Sequence, residues 1–213
     1  MRKIRIIYLI LMLVLTINPV CAIQTGGIQY TMPIDYSMID ESALNKESET
    51  LFQTFPNLED ETQQKRMLEQ LLSNYSILTK IDKENPFYFT RLGIVLDKLG
   101  KDRWAKANFC RSVNLTAKNP YAYYSFGNYY FSRYQFRKAL KQYMYAFNTG
   151  YDNNYDNLSQ IGKIYEKLGD FSSAILFYKK ALVYKDSEEL RNKIAQLERL
   201  LENNSLYDRK RGN

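Results

Sequence analysis

The chain has 213 residues, of which 45% are hydrophobic, so it is long enough for one domain with a sizeable core. It contains no histidine and two cysteines, which excludes Ser-His-Asp and Cys-His catalysis and zinc sites built from cysteine and histidine. Its formal net charge of +7 could indicate a nucleic-acid partner. No glycine-rich phosphate loop precedes a helical pattern. We therefore predict a protein that is not an enzyme and binds no cofactor or metal.

Residues 1–22 have the pattern of a secretory signal peptide. Three positive charges precede an apolar run over residues 6–17, and small residues lead to a cleavage position after Ala22. This run is shorter than the roughly 20 residues that span a bilayer. The alternatives are an uncleaved anchor and a lipoprotein modified at Cys21. We predict export to a periplasmic or secreted location, no membrane span after cleavage and, because of the export, no nucleic-acid partner.

The next segment is acidic and has no sustained periodicity. Residues 23–63 carry eight acidic side chains and one basic side chain. We predict that residues 23–56 form a flexible tether with at most a short helix near residues 42–52. Residues 57–83 differ, because apolar side chains recur there at helical spacing, and this stretch is predicted to be an amphipathic helix that caps the following domain.

A pattern of small and aromatic residues then occurs three times. In the middle copy it consists of Tyr123, Phe126, Gly127 and Tyr130, followed by Ala139, Tyr143 and Ala146. The glycines of the three copies, Gly93, Gly127 and Gly162, are 34 and 35 residues apart. Such spacing predicts pairs of helices that approach closely at the small residues, and we expect each glycine to face the alanine of its partner helix, Ala105, Ala139 or Ala174.

At these residues the chain resembles the tetratricopeptide repeat (TPR) family, whose pattern of aromatic, Leu-Gly, Tyr, Ala, Phe and Pro recurs at about 34 residues. The resemblance implies an all-α, antiparallel helix-pair solenoid, wound as a right-handed superhelix with a capping helix at each end. The repeats are predicted at residues 86–119, 120–154 and 155–186. Residues 187–203 are predicted to form the C-terminal cap, and residues 205–213 a basic disordered tail.

The boundaries of the helices are also indicated by the sequence. Asn-Pro pairs at Pro86 and Pro120 are typical of a helix start, where Asn caps and Pro fills the first turn. Gly100 and Gly169 suit helix ends that need a left-handed residue. The middle copy departs from this pattern, because Tyr134 stands at the corresponding position.

The first helix of the middle copy carries a second stripe of side chains, separate from the one that packs between repeats. In arrays of this kind the second stripe of each first helix lines a concave groove, so the resemblance implies a partner-binding groove formed by Arg91, Ile94, Tyr121, Tyr124, Asn128, Phe131, Ser159 and Lys163. The alternative is that these aromatic side chains pack against a neighbouring helix.

A groove rich in tyrosine with cationic neighbours suits an extended peptide or an amphipathic helix. The sequence therefore predicts a non-catalytic interaction scaffold or assembly factor of the cell envelope or secretory space. Its partner is a protein or peptide, and the cationic neighbours of the groove favour an acidic one. The alternative is a glycan or cell-wall binding module, in which exposed tyrosines stack on sugar rings. The oligomeric state is not indicated by the sequence.

Overall fold

A computed structural model describes residues 35–151 and 153–211, and side chains as far as residue 203. The predicted leader and the first part of the predicted tether lie outside these residues. The described chain is helical, and its helices are α1 (Glu41–Thr54), α2 (Glu61–Ile81), α3 (Pro86–Lys98), α4 (Asp102–Leu115), α5 (Pro120–Phe131), α6 (Phe136–Asn148), α7 (Asn154–Lys167), α8 (Phe171–Leu182) and α9 (Glu188–Arg211).

The helices pack in consecutive pairs. The most extensive contacts join α3 to α4, α5 to α6 and α7 to α8, and smaller contacts between adjacent pairs connect them into an array. Helix α3 also packs on α5, and α7 is the first helix of the next pair. We call α3, α5 and α7 the inner helices, and α4, α6 and α8 the outer helices. The all-α helix-pair solenoid that the sequence predicts is thereby confirmed.

The inner helices begin in the same way. Asn85, Asn119 and Asn153 each accept a hydrogen bond from a backbone N–H in the first turn. In the first two cases a proline occupies the first helical position, where no N–H is needed. The sequence prediction of these two helix starts is therefore confirmed.

The turn between the helices of each pair requires a left-handed residue. Gly100 and Gly169 have φ values of 69° and 79°, and Tyr134, at the corresponding position, has φ 57°. Tyr134 is also 81% exposed, so burial of its ring contributes little at this position. The middle pair thus has the same left-handed turn, although this backbone conformation costs free energy for a residue with a Cβ atom such as Tyr134.

Each repeat glycine lies against an aromatic ring of its partner helix. A Cβ atom added to Gly127 would lie 2.5 Å from the Tyr143 ring, and one added to Gly162 would lie 2.5 Å from the Tyr178 ring. At Gly93 the corresponding distance to Phe109 is 3.0 Å. The expectation that the glycines face the repeat alanines is therefore wrong. The missing side chain makes room for a ring, which fills more of the space between two helices than a methyl group could.

The segment before the first repeat is a further helix pair and not a tether followed by a cap. In α2, Leu71, Tyr75 and Leu78 stand 34 residues before Ala105, Phe109 and Ser112, and these three residues of α2 are fully buried. Helix α2 is thus equivalent to an outer helix. Helix α1 packs against it and buries Leu44 and Ser48.

The sequence predicts a flexible tether over residues 23–56 with at most a short helix near residues 42–52. A helix does occur there, but it spans the 14 residues Glu41–Thr54 and packs on α2, so this part of the segment is not a flexible tether. Part of the acidity that suggested a tether serves the helix start. Asp40 accepts a hydrogen bond from the Ala43 N–H, and Glu41 lies in the first turn, where negative charge is favourable.

Helix α9 closes the other end of the array. It buries Leu190, Ile194 and Leu197 and packs on α8, as expected of a terminal helix with a polar outer side. Its backbone remains helical as far as Arg211, so the disordered tail expected over residues 205–213 is helical in its described part. In the described part of the chain, no helix combines the length and apolar character needed to cross a bilayer.

The contact between Gly127 and Tyr143 can be tested with the smallest possible side chain. Gly127→Ala is expected to lower the free energy of unfolding by about 1–3 kcal/mol, because the new methyl group overlaps the ring and the helices must separate. Urea denaturation followed by circular dichroism measures the loss. Gly93→Ala is the matched control and should cost less, since its ring is 0.5 Å farther away. Equal stability of Gly127→Ala and the parent would contradict this packing.

At Tyr134 a substitution is expected to raise the stability of the protein. Tyr134→Gly is expected to stabilise the protein by about 0.5–1 kcal/mol, because glycine adopts a left-handed conformation without steric cost, although it adds entropy to the unfolded chain. Gly100→Ala should destabilise the protein for the same reason. Both differences can be measured as shifts of the thermal midpoint, and a lower midpoint for Tyr134→Gly would show that its ring contributes more than its backbone costs.

Candidate functional site

The inner helices border a cavity of about 300 Å³. It lies between the end of α1 and the middle of α5, and we call it the inner cavity. Its walls combine aromatic and aliphatic side chains with a few polar ones: Phe52, Ile94, Asp97, Lys98, Phe109, Tyr121, Tyr124, Ser125 and Asn128. An apolar concave site with few polar groups is the usual form of a ligand-binding pocket.

Arg91 fixes one side of this cavity. Its guanidinium donates to both carboxylate oxygens of Glu49, at 2.9 and 2.6 Å, and to the Tyr121 hydroxyl at 2.6 Å. The same carboxylate accepts a hydrogen bond from the Tyr75 hydroxyl. Because this two-pronged pair is largely shielded from water, the positive charge of Arg91 is compensated by α1 and is not available to a partner.

Aromatic rings surround the Arg91 guanidinium. Its central carbon lies 4.0 Å from the Phe52 ring centroid, 4.8 Å from that of Phe87 and 5.1 Å from that of Tyr121. These rings come from α1, α3 and α5, so one cation joins three helices through contacts of the cation–π type. The position of Tyr121 at the cavity wall therefore depends on Arg91.

Tyr124 forms the opposite wall. Its ring stacks on Tyr151 with centroids 4.5 Å apart, and lies 5.6 Å from the ring of Tyr143. Burial raises the pKa of the Tyr124 hydroxyl, and the charge of Asp156 raises it further. Burial likewise raises the pKa of Tyr121, although Arg91 opposes that shift. Both hydroxyls are thus neutral near pH 7 and can donate or accept hydrogen bonds.

The polar groups of the cavity differ in how far they are already paired. Asn128 is exposed, and its side-chain oxygen accepts a hydrogen bond from the Tyr143 hydroxyl at 2.7 Å. Asp97 is paired with Arg133 at 2.6 Å. Lys98 is exposed and lies 5.0 Å from the Phe55 ring. Lys98 is therefore the cavity side chain whose positive charge is most accessible to a ligand.

Four of the eight residues predicted for the groove line this cavity, namely Ile94, Tyr121, Tyr124 and Asn128. Arg91 lies behind Tyr121 and faces α1. Lys163 is exposed on α7 but is not part of the cavity wall.

The other two predicted groove residues belong to helix packing. Phe131 packs edge-on against Phe136, with ring centroids 5.7 Å apart. Ser159 is 7% exposed and donates to the Tyr155 carbonyl within its own helix. The alternative that the second stripe packs against neighbouring elements thus applies to these two residues and in part to Tyr124.

The cavity also contains residues that the sequence reading missed. Phe52 falls at the end of the short helix expected near residues 42–52, but no periodic signal identifies that helix as part of the array. Lys98 and Ser125 follow Ile94 and Tyr121 by four residues, so helical spacing alone could have placed them on the same side. Among the described residues, no group of three or more His, Cys, Asp or Glu side chains could hold a metal ion.

Comparisons with known proteins identify the fold. No family model and no curated protein matches the chain. Among solved structures, MamA is 21% identical over 70% of this chain and 85% of its own, with a TM-score of 0.57. PilF of Pseudomonas aeruginosa is 13% identical over 73% of this chain and 69% of its own, with a TM-score of 0.60.

A third similar structure is YrrB, described as a TPR protein with an unusual peptide-binding site. It is 22% identical over 62% of this chain and 68% of its own, with a TM-score of 0.51. At these identities the likeness concerns the fold, and together with the three in-phase repeats it shows that the fold is the TPR solenoid.

The role of Glu49 can be tested by removing its charge while keeping its shape. Glu49→Gln is expected to lower the free energy of unfolding by about 1.5–3 kcal/mol, because the shielded Arg91 loses its charged partner. Chemical denaturation measures the difference. Glu47→Gln is the matched control on the same helix, where the side chain is exposed, and it should change stability by less than about 0.5 kcal/mol. Equal effects of the two substitutions would contradict the proposed role of the pair.

Proposed function

We propose that this protein is a non-catalytic interaction scaffold whose inner cavity binds the apolar side of a peptide or amphipathic helix. The observation that carries the proposal is the cavity itself, with Ile94, Tyr121 and Tyr124 in its wall and polar groups at its edge. A pocket of this kind accepts an aromatic or aliphatic anchor, and burial of such anchors dominates the affinity of peptide interfaces.

The charges around the cavity favour a partner with acidic residues beside its anchor. Glu49 compensates Arg91, and Arg133 compensates Asp97. Lys98 and Lys163 remain exposed on the inner helices. Lys98, which lines the cavity, can attract a negatively charged segment of the partner and speed its association.

The arrangement of the tyrosines favours a peptide over a glycan. Stacking on a sugar ring requires an open aromatic face. One face of the Tyr124 ring is covered by Tyr151, and Tyr121 is engaged by Arg91 and lies near Phe87. The rings are better placed to border a pocket for a side chain than to present a platform for sugars.

We further propose that the protein acts in the cell envelope or secretory space. This part of the proposal rests on the signal-peptide pattern of residues 1–22. N-terminal sequencing of protein recovered from separated cell fractions tests it. A mature chain that begins after Ala22 in the exported fraction is expected, and an intact chain confined to the cytoplasm would contradict it.

The binding proposal can be tested with a phage-displayed library of random peptides selected on the immobilised full chain. The selected peptides are expected to share an apolar anchor with acidic neighbours. Tyr124→Ala should weaken their binding by about 2 kcal/mol, or roughly 30-fold in Kd. Tyr145→Ala is the control, because it also removes a tyrosine ring that packs on another ring, but from an outer helix.

A second variant separates binding from folding. Lys98→Glu changes an exposed side chain, so it should lower the melting midpoint only slightly, through loss of the favourable charge in the last turn of α3, and reduce mainly the association rate of acidic peptides. Peptides whose affinity is unaffected by both Tyr124→Ala and Lys98→Glu would contradict the inner cavity as the site. Displacement of the selected peptides by a soluble polysaccharide would support the glycan alternative instead.

A further inference from the structure

The outer helices carry most of the positive charge of the repeats. Together α4, α6 and α8 contain eight Lys or Arg residues and one acidic residue, whereas α3, α5 and α7 contain four basic and three acidic residues. All eight basic side chains of the outer helices are exposed. The side of the array opposite the inner cavity is therefore strongly basic.

Little of this charge is compensated within the described chain. Asp102, the single acidic residue of the outer helices, pairs with Arg133 of the turn that follows α5. Among the described residues, the ion pairs of these helices include one basic side chain, Lys179, which bonds to Glu198 at 2.8 Å. A large part of the positive charge thus faces solvent, where it can attract an anionic partner.

Large apolar side chains are interspersed with these cations. The repeat places Arg111, Tyr145 and Lys180 at equivalent positions of successive outer helices, and it does the same for Lys141 and Leu176. Tyr145 and Leu176 are 44% and 51% exposed. A cation on one helix therefore lies beside an exposed apolar side chain on the next.

Trp104 extends the same pattern to α4. It is the only tryptophan of the chain, it is 65% exposed, and the repeat gives it a position equivalent to that of Lys138 on α6. Exposed tryptophan and tyrosine among flexible basic side chains are typical of surfaces that meet the headgroup region of a membrane. Binding to a nucleic-acid backbone would account for the cations but not for the exposure of an apolar side chain such as Leu176.

We propose that the outer helices dock the protein on an anionic membrane surface. Lysine and arginine contact the lipid headgroups, and Trp104, Tyr145 and Leu176 enter the interface between headgroups and acyl chains. The inner cavity, on the other side of the array, stays open to solvent in this orientation. The proposal does not depend on the function assigned to that cavity.

The test uses the full chain and two kinds of vesicle, one of phosphatidylcholine alone and one of an equimolar mixture of phosphatidylcholine and phosphatidylglycerol. Because Trp104 is the single tryptophan, its fluorescence reports on α4 and on no other part of the protein. The anionic vesicles are expected to shift its emission to the blue and to protect it from an aqueous quencher. Insertion through residues 1–22 alone would not bury Trp104.

Two variants of equal charge identify the surface. Lys106→Glu, Lys141→Glu and Lys180→Glu together reverse one cation on each outer helix, and are expected to weaken cosedimentation with the anionic vesicles at least about tenfold. Lys46→Glu, Lys167→Glu and Arg199→Glu reverse three exposed cations on α1, α7 and α9 and should have a much smaller effect. Circular dichroism checks that both variants are folded.

Three outcomes would overturn the proposal. The first is an unchanged Trp104 emission with anionic vesicles. The second is an equal loss of binding in the two variants, which would make net charge and not this surface responsible. The third is binding of a short DNA duplex that depends on the outer-helix lysines while vesicles do not bind, which would make the surface a nucleic-acid site.

Discussion

The close approach of the two helices in each repeat determines the rest of this structure. It is possible because Gly127 and Gly162 leave a space that the rings of Tyr143 and Tyr178 fill. These two tyrosines are almost fully buried, and burial raises the pKa of both hydroxyls. Their hydroxyls nevertheless reach partners at the inner edge, where Tyr143 donates to Asn128. The contact that holds a pair together thus also helps to position a residue of the inner cavity.

The sequence was sufficient to predict the repeats because their signal is local and occurs three times. The interval between Gly93 and Gly127 is the same as that between Ala105 and Ala139, and Asn-Pro pairs mark where the helices begin. The first helix pair lacked this signal, although Leu71 and Tyr75 stand in register with Ala105 and Phe109. Large residues replace the small ones there, and without a glycine in α1 the pattern could not be recognised.

The candidate site was predicted in part for a related reason. Helical spacing identifies which side of α5 a residue occupies, and Tyr121 and Tyr124, which it groups on one side, both line the cavity. It does not reveal what lies opposite that side. Glu49 stands 42 residues before Arg91, and no short-range pattern indicates that the two will pair. The sequence predicts Arg91 to be a binding residue, and only the three-dimensional structure shows that its charge is paired with Glu49.

The position of Arg91 also has a consequence for how the array opens. In a solenoid each helix pair contacts only its neighbours, so the ends can unfold separately from the middle. Arg91 belongs to the second pair, and it contacts Phe52 and Glu49 of the first pair and Tyr121 of the third. The interface between the first and second pairs and that between the second and third pairs thus both include this one side chain. Unfolding of α1 would leave the charge of Arg91 without a partner and would also weaken the interface between the second and third pairs. We therefore expect the first three pairs to exchange their amide hydrogens as one cooperative unit, and α9 to fray separately.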